Sequence, residues 1–478
     1  MAAPIISIRA GRETESGLFK GVHPLDTPLW RDGQNVLFRD GGPEKIPGWA
    51  SVLTSAAAGV IRGMDALQDE AAVQRLFYGD QSKLYQWAAG VESEVGSGFT
   101  GYEDEASTHP ASSWSFTRFG NWMLASNGKD VPQIWKATGS FTALGGVTFT
   151  TAEILLRRGP HILAFNTSNG ASWYEWSDED NPETWTPEST NAAGNQPIRD
   201  MDGDIKAAVL FGEQIAVLGK NQLFLVQYTG APFYFPYRPA LEGIGAVGKM
   251  AVVAANRILY GFGPNGIWQT DGVQFQYIDT LALRQYIKDT ADASQLSKVA
   301  ATYDAATESV LWSIPTSGTG ENTVTVAYRI PTGAWSVYTF GRTCWVPQLG
   351  VFDQPFAAGT DGKIHAHNEG VDAGTAALDA WVRSKPFAAG DARTWTYIAD
   401  VALQMRRAAG TVQVRLGGQK HLDDAIGWTA YKDVDDGFEL INLRRSGRFI
   451  TVEIRSNAVG GDFAMSGFDL YGSQGGRI

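Results

Sequence analysis

A short polar turn followed by a strand that ends on an aromatic recurs through most of this chain. Leu84-Tyr85-Gln86-Trp87 follows Gly79-Asp80-Gln81, Ile134-Trp135 follows Asn127-Gly128, and Trp173-Tyr174-Glu175-Trp176 follows Asn169-Gly170. Leu223-Phe224 follows Gly219-Lys220-Asn221, Ile267-Trp268 follows Asn265-Gly266, Leu311-Trp312 follows a polar turn, and Lys363-Ile364 follows Asp361-Gly362. The seven marks are about 47 residues apart on average, the spacing of one four-stranded propeller blade. A blade cannot bury its own faces and must stack on neighbours, so the period itself predicts the architecture.

The expected fold is all-β. A β-propeller of about seven blades, plus or minus one, spans residues 51–384. An N-terminal arm with contact strands occupies residues 1–50, and a C-terminal antiparallel β-sandwich occupies residues 385–478. Residues 75–78 pair with 83–87, 122–125 with 133–135, 161–165 with 172–177, 214–218 with 222–228, and 257–262 with 266–270. Each pair is joined by a short Gly, Asn or Asp turn, which is hairpin chemistry. Residues 309–314 and 323–328 form another pair across a floppy loop at 316–321. A helix is expected from about Ala282 to Thr290, capped by Asp279 or Thr280. In the arm, residues 7–10 and 35–39 read as strands and the polar stretch 13–27 as extended. Residues 398–405, 411–416, 438–443, 449–456 and 467–471 alternate with turns, as in a jelly-roll sandwich. Gly460-Gly461 and Gly475-Gly476 read as flexible turns.

The net charge of −12 argues against a nucleic-acid clamp, which needs basic residues to neutralise phosphates. It suits a wall that lets a polyanion slide past, because like charge keeps the polyanion mobile. The single cysteine, Cys344, excludes an intrachain disulfide and reads as a small buried apolar residue. No run of 18 apolar residues predicts a membrane span, and the first six residues lack the basic start of a secretory signal. Arg406, Arg407, Arg415, Arg444, Arg445, Arg448 and Arg455 make the last region locally basic. They read as solvated strand faces, with a docking surface for an acidic partner as the functional alternative.

The candidate sites are few. His365 and His367, two apart on a strand, face one side as metal ligands can, with Glu369 the only close carboxylate. A solvated hairpin is the expected reading. Asp178, Glu179, Asp180 and Glu183 are acidic enough for Ca²⁺ but lack the EF-hand pattern, so a solvated loop is expected. The run Asp180-Asn181-Pro182-Glu183-Thr184-Trp185 is similar to the aspartate box of sialidase-like propellers, with Pro182 in place of Gly and Asp178 in place of Ser. It occurs once, and glycosidase chemistry needs a carboxylate pair at a set separation that the sequence does not single out. The run from Gly243 to Gly248 reads as a turn entering a strand at 250–254. No nucleophile elbow, phosphate-binding loop or Cys-x-x-Cys occurs. No catalytic residue, cofactor-binding residue or metal ligand is therefore assigned, no cofactor is expected, and the chain reads as non-enzymatic.

Several stretches together carry a resemblance. Residues 33–49, Gly-Gln-Asn-Val-Leu-Phe-Arg-Asp-Gly-Gly-Pro-Glu-Lys-Ile-Pro-Gly-Trp, resemble the opening of many phage structural proteins, where contact strands precede the first blade. Residues 176–185 resemble their mid-propeller hairpin and residues 261–268 a later blade. Residues 447–452 and 466–470 are similar to their C-terminal sandwich. The family is that of the tail nozzle, or tail-hub, proteins of short-tailed bacteriophages, also called tail tubular protein B or packaged-DNA stabilisation proteins. The resemblance implies a homohexameric ring beneath the portal and head-to-tail adaptor. Such a ring continues the DNA channel, retains the packaged genome until ejection, and carries tail fibres or tailspikes. Duplex DNA passes through its lumen without specific binding, and the protein resides in the virion tail after assembly in the host cytoplasm. The family has no catalytic residues to carry over.

The alternative from another class is a glycan-binding or glycan-cleaving propeller acting in receptor recognition. Trp173, Trp176 and Trp185 would stack on sugars in that case, whereas their regular recurrence favours packing between sheets. A host surface or periplasmic adaptor is a third reading, against which the missing signal counts.

Overall fold

The computed structural model describes residues 4–11, 15–19, 29–53, 55–101, 113–348, 350–388, 393–434 and 440–477. The stretch 13–27, expected to be extended, lies outside them except for residues 15–19. The chain is all-β, with one helix of ten residues, Leu281–Thr290, and one short 3₁₀ turn, Leu296–Lys298, among the described residues.

Seven four-stranded antiparallel sheets occupy the repeat region. Their first strands are Met64–Gln68, Ser115–Phe119, Ala152–Arg158, Ala207–Phe211, Val252–Ala255, Ala300–Asp304 and Cys344–Val346. Six sheets are built from consecutive strands. The seventh consists of Cys344–Val346, Phe356–Ala358 and Ile364–His367, and is completed by Trp49–Ser51, which precedes all the others in the chain. The first strands lie against one another in chain order, and that of the seventh sheet lies against that of the first. This cyclic order is compatible with a propeller-like fold.

Local chemistry explains the hairpins. Ala89 and Gly90 join the third and fourth strands of the first sheet with φ of 49° and 83°, a left-handed pair that only a tight turn requires. The recurring aromatics fill the space between sheets. Trp135, Trp268 and Trp312 are buried, and Gly261, the register partner of Trp268, has no side chain because that indole lies over it. Each large apolar side chain withdrawn from water contributes roughly 1.5–3 kcal/mol.

Two six-stranded sheets form the sandwich, and its composition differs from expectation. The first orders Val36–Arg39, Gly42–Lys45, Asp462–Arg477, Thr394–Ala409 and Leu440–Gly447, with Ile6–Ile8 also paired to Asp462–Arg477. The second orders Trp30–Gln34, Ala380–Ser384, Phe449–Ser456 and Gln413–Gln419, then the short Gly427–Trp428 and Lys432–Asp433. Residues 1–50 are thus not a separate arm, and residues 385–478 do not make the sandwich alone. Strands from both sides of the repeat region share one core that includes Trp30, Phe38, Val401, Ile454 and Phe468. Gly475-Gly476, expected as a turn, lies inside the last strand.

The sandwich is seated on the sixth and seventh sheets. Buried Asn35 donates from its backbone to Val337 O and from Nδ2 to Thr339 Oγ1 (2.7 Å), and its Oδ1 accepts from Thr339 N (2.8 Å). Leu37 and Ile46 pack with Leu311, Tyr338 and Phe340.

Two smaller expectations are settled by hydrogen bonds. Thr280 caps the helix, its hydroxyl accepting from Leu283 N (3.2 Å), while Asp279 pairs with Arg284 at 2.8 Å. The loop 316–321 is not floppy. Thr316 N donates to Glu321 O, Ser317 N donates to Thr290 O, and the Thr316 and Thr323 hydroxyls lie 2.7 Å apart.

Candidate functional site

The first strands of the sheets surround a cavity of about 760 Å³. Leu67, Phe116, Leu155, Leu210 and Met250 give it an apolar lining, and Asp65, Gln68, Arg118 and Arg157 supply its polar groups. Asp65 sits 3.5 Å from Arg118 Nε and accepts from Ala66 N at 2.8 Å. Burial pushes its carboxyl above the usual range, and Arg118 opposes the shift.

A second cavity of about 150 Å³ lies at the other end of the first strands, among Asn127, Glu153, Asn166, Asp204 and Lys206. Lys249 lines both cavities. It enters from the loop before the fifth sheet, and its ammonium donates to Ser113 O, to Glu153 O (3.2 Å) and to Glu153 Oε2 (3.4 Å). Burial holds its pKa below the ordinary lysine value, while the Glu153 carboxylate works to raise it. The side chain therefore bridges from the fifth sheet to the second and third and separates the two cavities. A volume of this size suits one small molecule.

Near the same end, Glu321 Oε1 receives Arg62 Nη2 at 2.6 Å and Lys298 Nζ at 2.8 Å. Arg62 leads into the first sheet, while Lys298 and Glu321 belong to the approach and hairpin of the sixth. The triad ties those sheets across the seventh.

The histidine pair is not a solvated hairpin. His367 is buried, stacks on Trp49 (5.5 Å between centroids) and accepts from Arg342 Nε at 2.8 Å. Arg342 is also buried, with its guanidinium carbon 4.8 Å from the Trp49 ring centroid and 4.9 Å from that of Phe340. Its Nη2 has no protein hydrogen-bond partner. Burial and the neighbouring Arg342 charge push His365 down to about 4, against the pull of Asp361. These residues sit where Trp49–Ser51 completes the seventh sheet. Among the described residues, no group of three His, Cys, Asp or Glu side chains is placed to hold a metal ion. Cys344 is buried, and desolvation pushes its thiol up to about 12, which leaves it unreactive.

The acidic hairpin of the third sheet is built around its tryptophan. Trp185 is 1% exposed, donates from Nε1 to Pro182 O (2.7 Å) and meets Phe149 edge-on at 5.1 Å. Asp178 Oδ1 accepts from Glu179 N and Ala192 N, both at 2.8 Å, so it closes the loop. Trp176 is buried as well, and Trp173 is half-buried. The Gly243–Gly248 run connects the fourth and fifth sheets with no helix after it, and a Cβ at Gly245 would strike Lys220 O.

No protein-family model matches the chain, and no curated protein matches it significantly. Its own geometry therefore carries the functional argument. No helix among the described residues is long and apolar enough to cross a membrane.

Of the seven arginines of the sandwich that the sequence singles out, four fall into two groups, and Arg444, Arg445 and Arg448 lie on or beside Leu440–Gly447, with Arg444 exposed. Arg406 approaches Glu44 (3.5 Å), and Arg407 Nε meets Asp462 at 2.5 Å; both stiffen the first sheet. Arg415 and Arg455 stand instead on the outward face of the second sheet, among aromatic rings. Lys249, Asp65 and the Arg62–Glu321–Lys298 triad escaped sequence reading. Each is a single charge beside a strand, and no local pattern marks it as facing inward.

Proposed function

We propose that this chain is the tail nozzle subunit of a short-tailed bacteriophage, a structural virion protein without enzymatic activity. On this reading the seven sheets are blades of a β-propeller. Copies assemble into a homohexameric ring that continues the DNA channel below the portal and adaptor, retains the packaged genome and carries fibres or tailspikes. The observation that carries the reading is the joining of seven cyclically ordered sheets to a sandwich made by both ends of the chain. Such a body is a rigid wedge with two different sides, which a cyclic assembly needs for its head-to-tail interface. The phage-like stretches 33–49, 447–452 and 466–470 contribute strands to that sandwich and to its seat. The acidic balance favours passage of DNA over capture. Burial of Trp176 and Trp185 withdraws the support those residues lent to sugar stacking.

Mass photometry and negative-stain imaging of the purified full chain and of isolated tails test the proposal. Closed rings with a lumen wide enough for duplex DNA are expected. A chain that stays monomeric at every concentration and is missing from tails would overturn it.

A further inference from the structure

The outward face of the second sandwich sheet carries a continuous ladder of guanidinium groups and rings. Arg383 lies 4.9 Å from the Trp381 ring and 5.1 Å from that of Trp428. Arg415 lies 4.1 Å from Trp428 and 4.4 Å from Tyr431, and Arg455 lies 3.4 Å from Tyr431. Register explains the alignment, since Arg383 pairs with Glu453 and Glu453 with Arg415, while Trp381 pairs with Arg455 and Arg455 with Gln413. Buried Glu453 anchors the layer by accepting from Arg383 (2.7 Å), Arg415 (2.5 Å) and the Tyr431 hydroxyl (2.5 Å). All six ladder side chains are half-buried, and the core of the sandwich lies on the other side of this sheet. Arginines already stacked and hydrogen-bonded lose little freedom on binding, and Trp, Tyr and Arg are the residues that dominate interface energetics.

We propose that this ladder docks the acidic hairpin of the third sheet, residues 178–188, of a second copy of the chain. The inference rests on the ring reading above and names its junction.

Charge supports the pairing. Residues 385–478 hold twelve Lys or Arg and eleven Asp or Glu, so the acid excess behind the net −12 lies in residues 1–384. The hairpin concentrates Asp178, Glu179, Asp180, Glu183 and Glu188 with no Lys or Arg from 177 to 193. Lys136 takes Glu183 (2.6 Å), whereas Glu179, Asp180 and Glu188 are exposed. Within the ladder, Asp32 lies 3.5 Å from Arg383, and Asp433 is bonded to Gln413. Arg455 donates from Nε to Gln413 Oε1 (2.9 Å) and has no carboxylate within 4 Å among the described residues, with Asp379 acting on its charge from farther away. Both surfaces are pre-organised, the hairpin through Trp185 and Asp178.

Position supports it too. The sandwich sits on the sixth and seventh sheets, and the third sheet lies half a turn of the cyclic order away. A contact between opposite sides of successive copies is head-to-tail, the kind of interface from which a ring closes when the rotation between copies fits.

The test uses full-length chain and mass photometry. Arg455→Glu breaks the ladder, and the pair Glu179→Arg with Glu188→Arg breaks the hairpin at exposed positions, at the cost of one 3.3 Å bond from the Tyr228 hydroxyl to Glu179. Each is expected to raise the concentration for half-assembly by about tenfold or more. Mixing the two variants is expected to restore rings in part with the two copies alternating, because every junction then pairs either two native surfaces or two reversed ones. Combining all three substitutions in one chain is expected to restore assembly in part. If wild-type chain forms rings and the hairpin variant forms them equally well, the ladder is not the junction and the proposal falls, while the nozzle reading stands. If wild-type chain forms no ring, the nozzle reading falls and takes this inference with it.

Discussion

His365 pairs loosely with Asp361 (3.6 Å) beside the buried Arg342, and its folded pKa of about 4 lies below the ordinary 6.5. The sign follows from that order. As pH falls from 6.5 the unfolded chain takes up the proton first, so stability is lost until the folded side chain protonates near 4. The loss at pH 4.5 is about 2–3 kcal/mol. Urea unfolding at pH 7.5 and 4.5 is expected to show it in the wild-type chain and to show it reduced in His365→Gln. Arg342 stacks on Trp49 and Phe340 and has no carboxylate within 4 Å among the described residues, so Arg342→Met trades relief of a buried charge against the lost bond to His367 and is expected to change stability by less than about 2 kcal/mol. Glu321 behaves in the opposite way, because Glu321→Gln leaves Arg62 and Lys298 buried without their counter-charge. A loss of roughly 3–5 kcal/mol in denaturant unfolding is expected. None of the three side chains announced its burial in the sequence. The histidines alternate with apolar neighbours as an exposed pair would, and only the arrival of Trp49 from the far end of the chain covers them.

At the scale of elements, turn chemistry made most hairpins legible. Asn-Gly, Asp-Gly and Ala-Gly pairs set the reversals, and the aromatic ends of the strands marked which side each sheet would bury. The helix was legible for the same reason, since Thr280 and the spacing of Leu283 and Ile287 are local signals. Thr280→Ala is expected to cost about 1 kcal/mol through the lost cap, read from thermal unfolding. The aromatic of the acidic hairpin belongs to this scale as well. Trp185→Ala removes a buried ring held against Phe149, and a loss of about 3–5 kcal/mol is expected in the same measurement. What stayed illegible was partnership across distance. Val36–Arg39 reads as a strand, but nothing in its four residues says that its sheet is finished by Asp462–Arg477. Strand pairing at such separation depends on shape that the whole chain makes, so from sequence the segment reads as an arm with contact strands and no stated partner.

For the molecule as a whole, the repeat spacing gave the number of sheets, because each must bury both faces on a neighbour and so cannot vary much in length. The larger cavity was not legible, since its lining comes from strands far apart in the sequence and its divider is a lone lysine in a loop. Lys249→Ala is expected to leave the sheets folded but merge the two cavities, which an apolar fluorescent probe would report by increased binding. The strand Trp49–Ser51 has a further consequence in time. It leaves the ribosome roughly 300 residues before Ile364–His367, the strand it must pair with, and Trp30–Gln34 waits still longer for Ala380–Ser384. Until residues 364–384 have been made these early strands have no partners, and the closure of so large a loop makes their pairing a late event. A prematurely terminated chain therefore exposes two unfilled sheet edges. Completion of the polypeptide becomes the condition for a surface that can be stored in the crowded cell without sticking to its siblings.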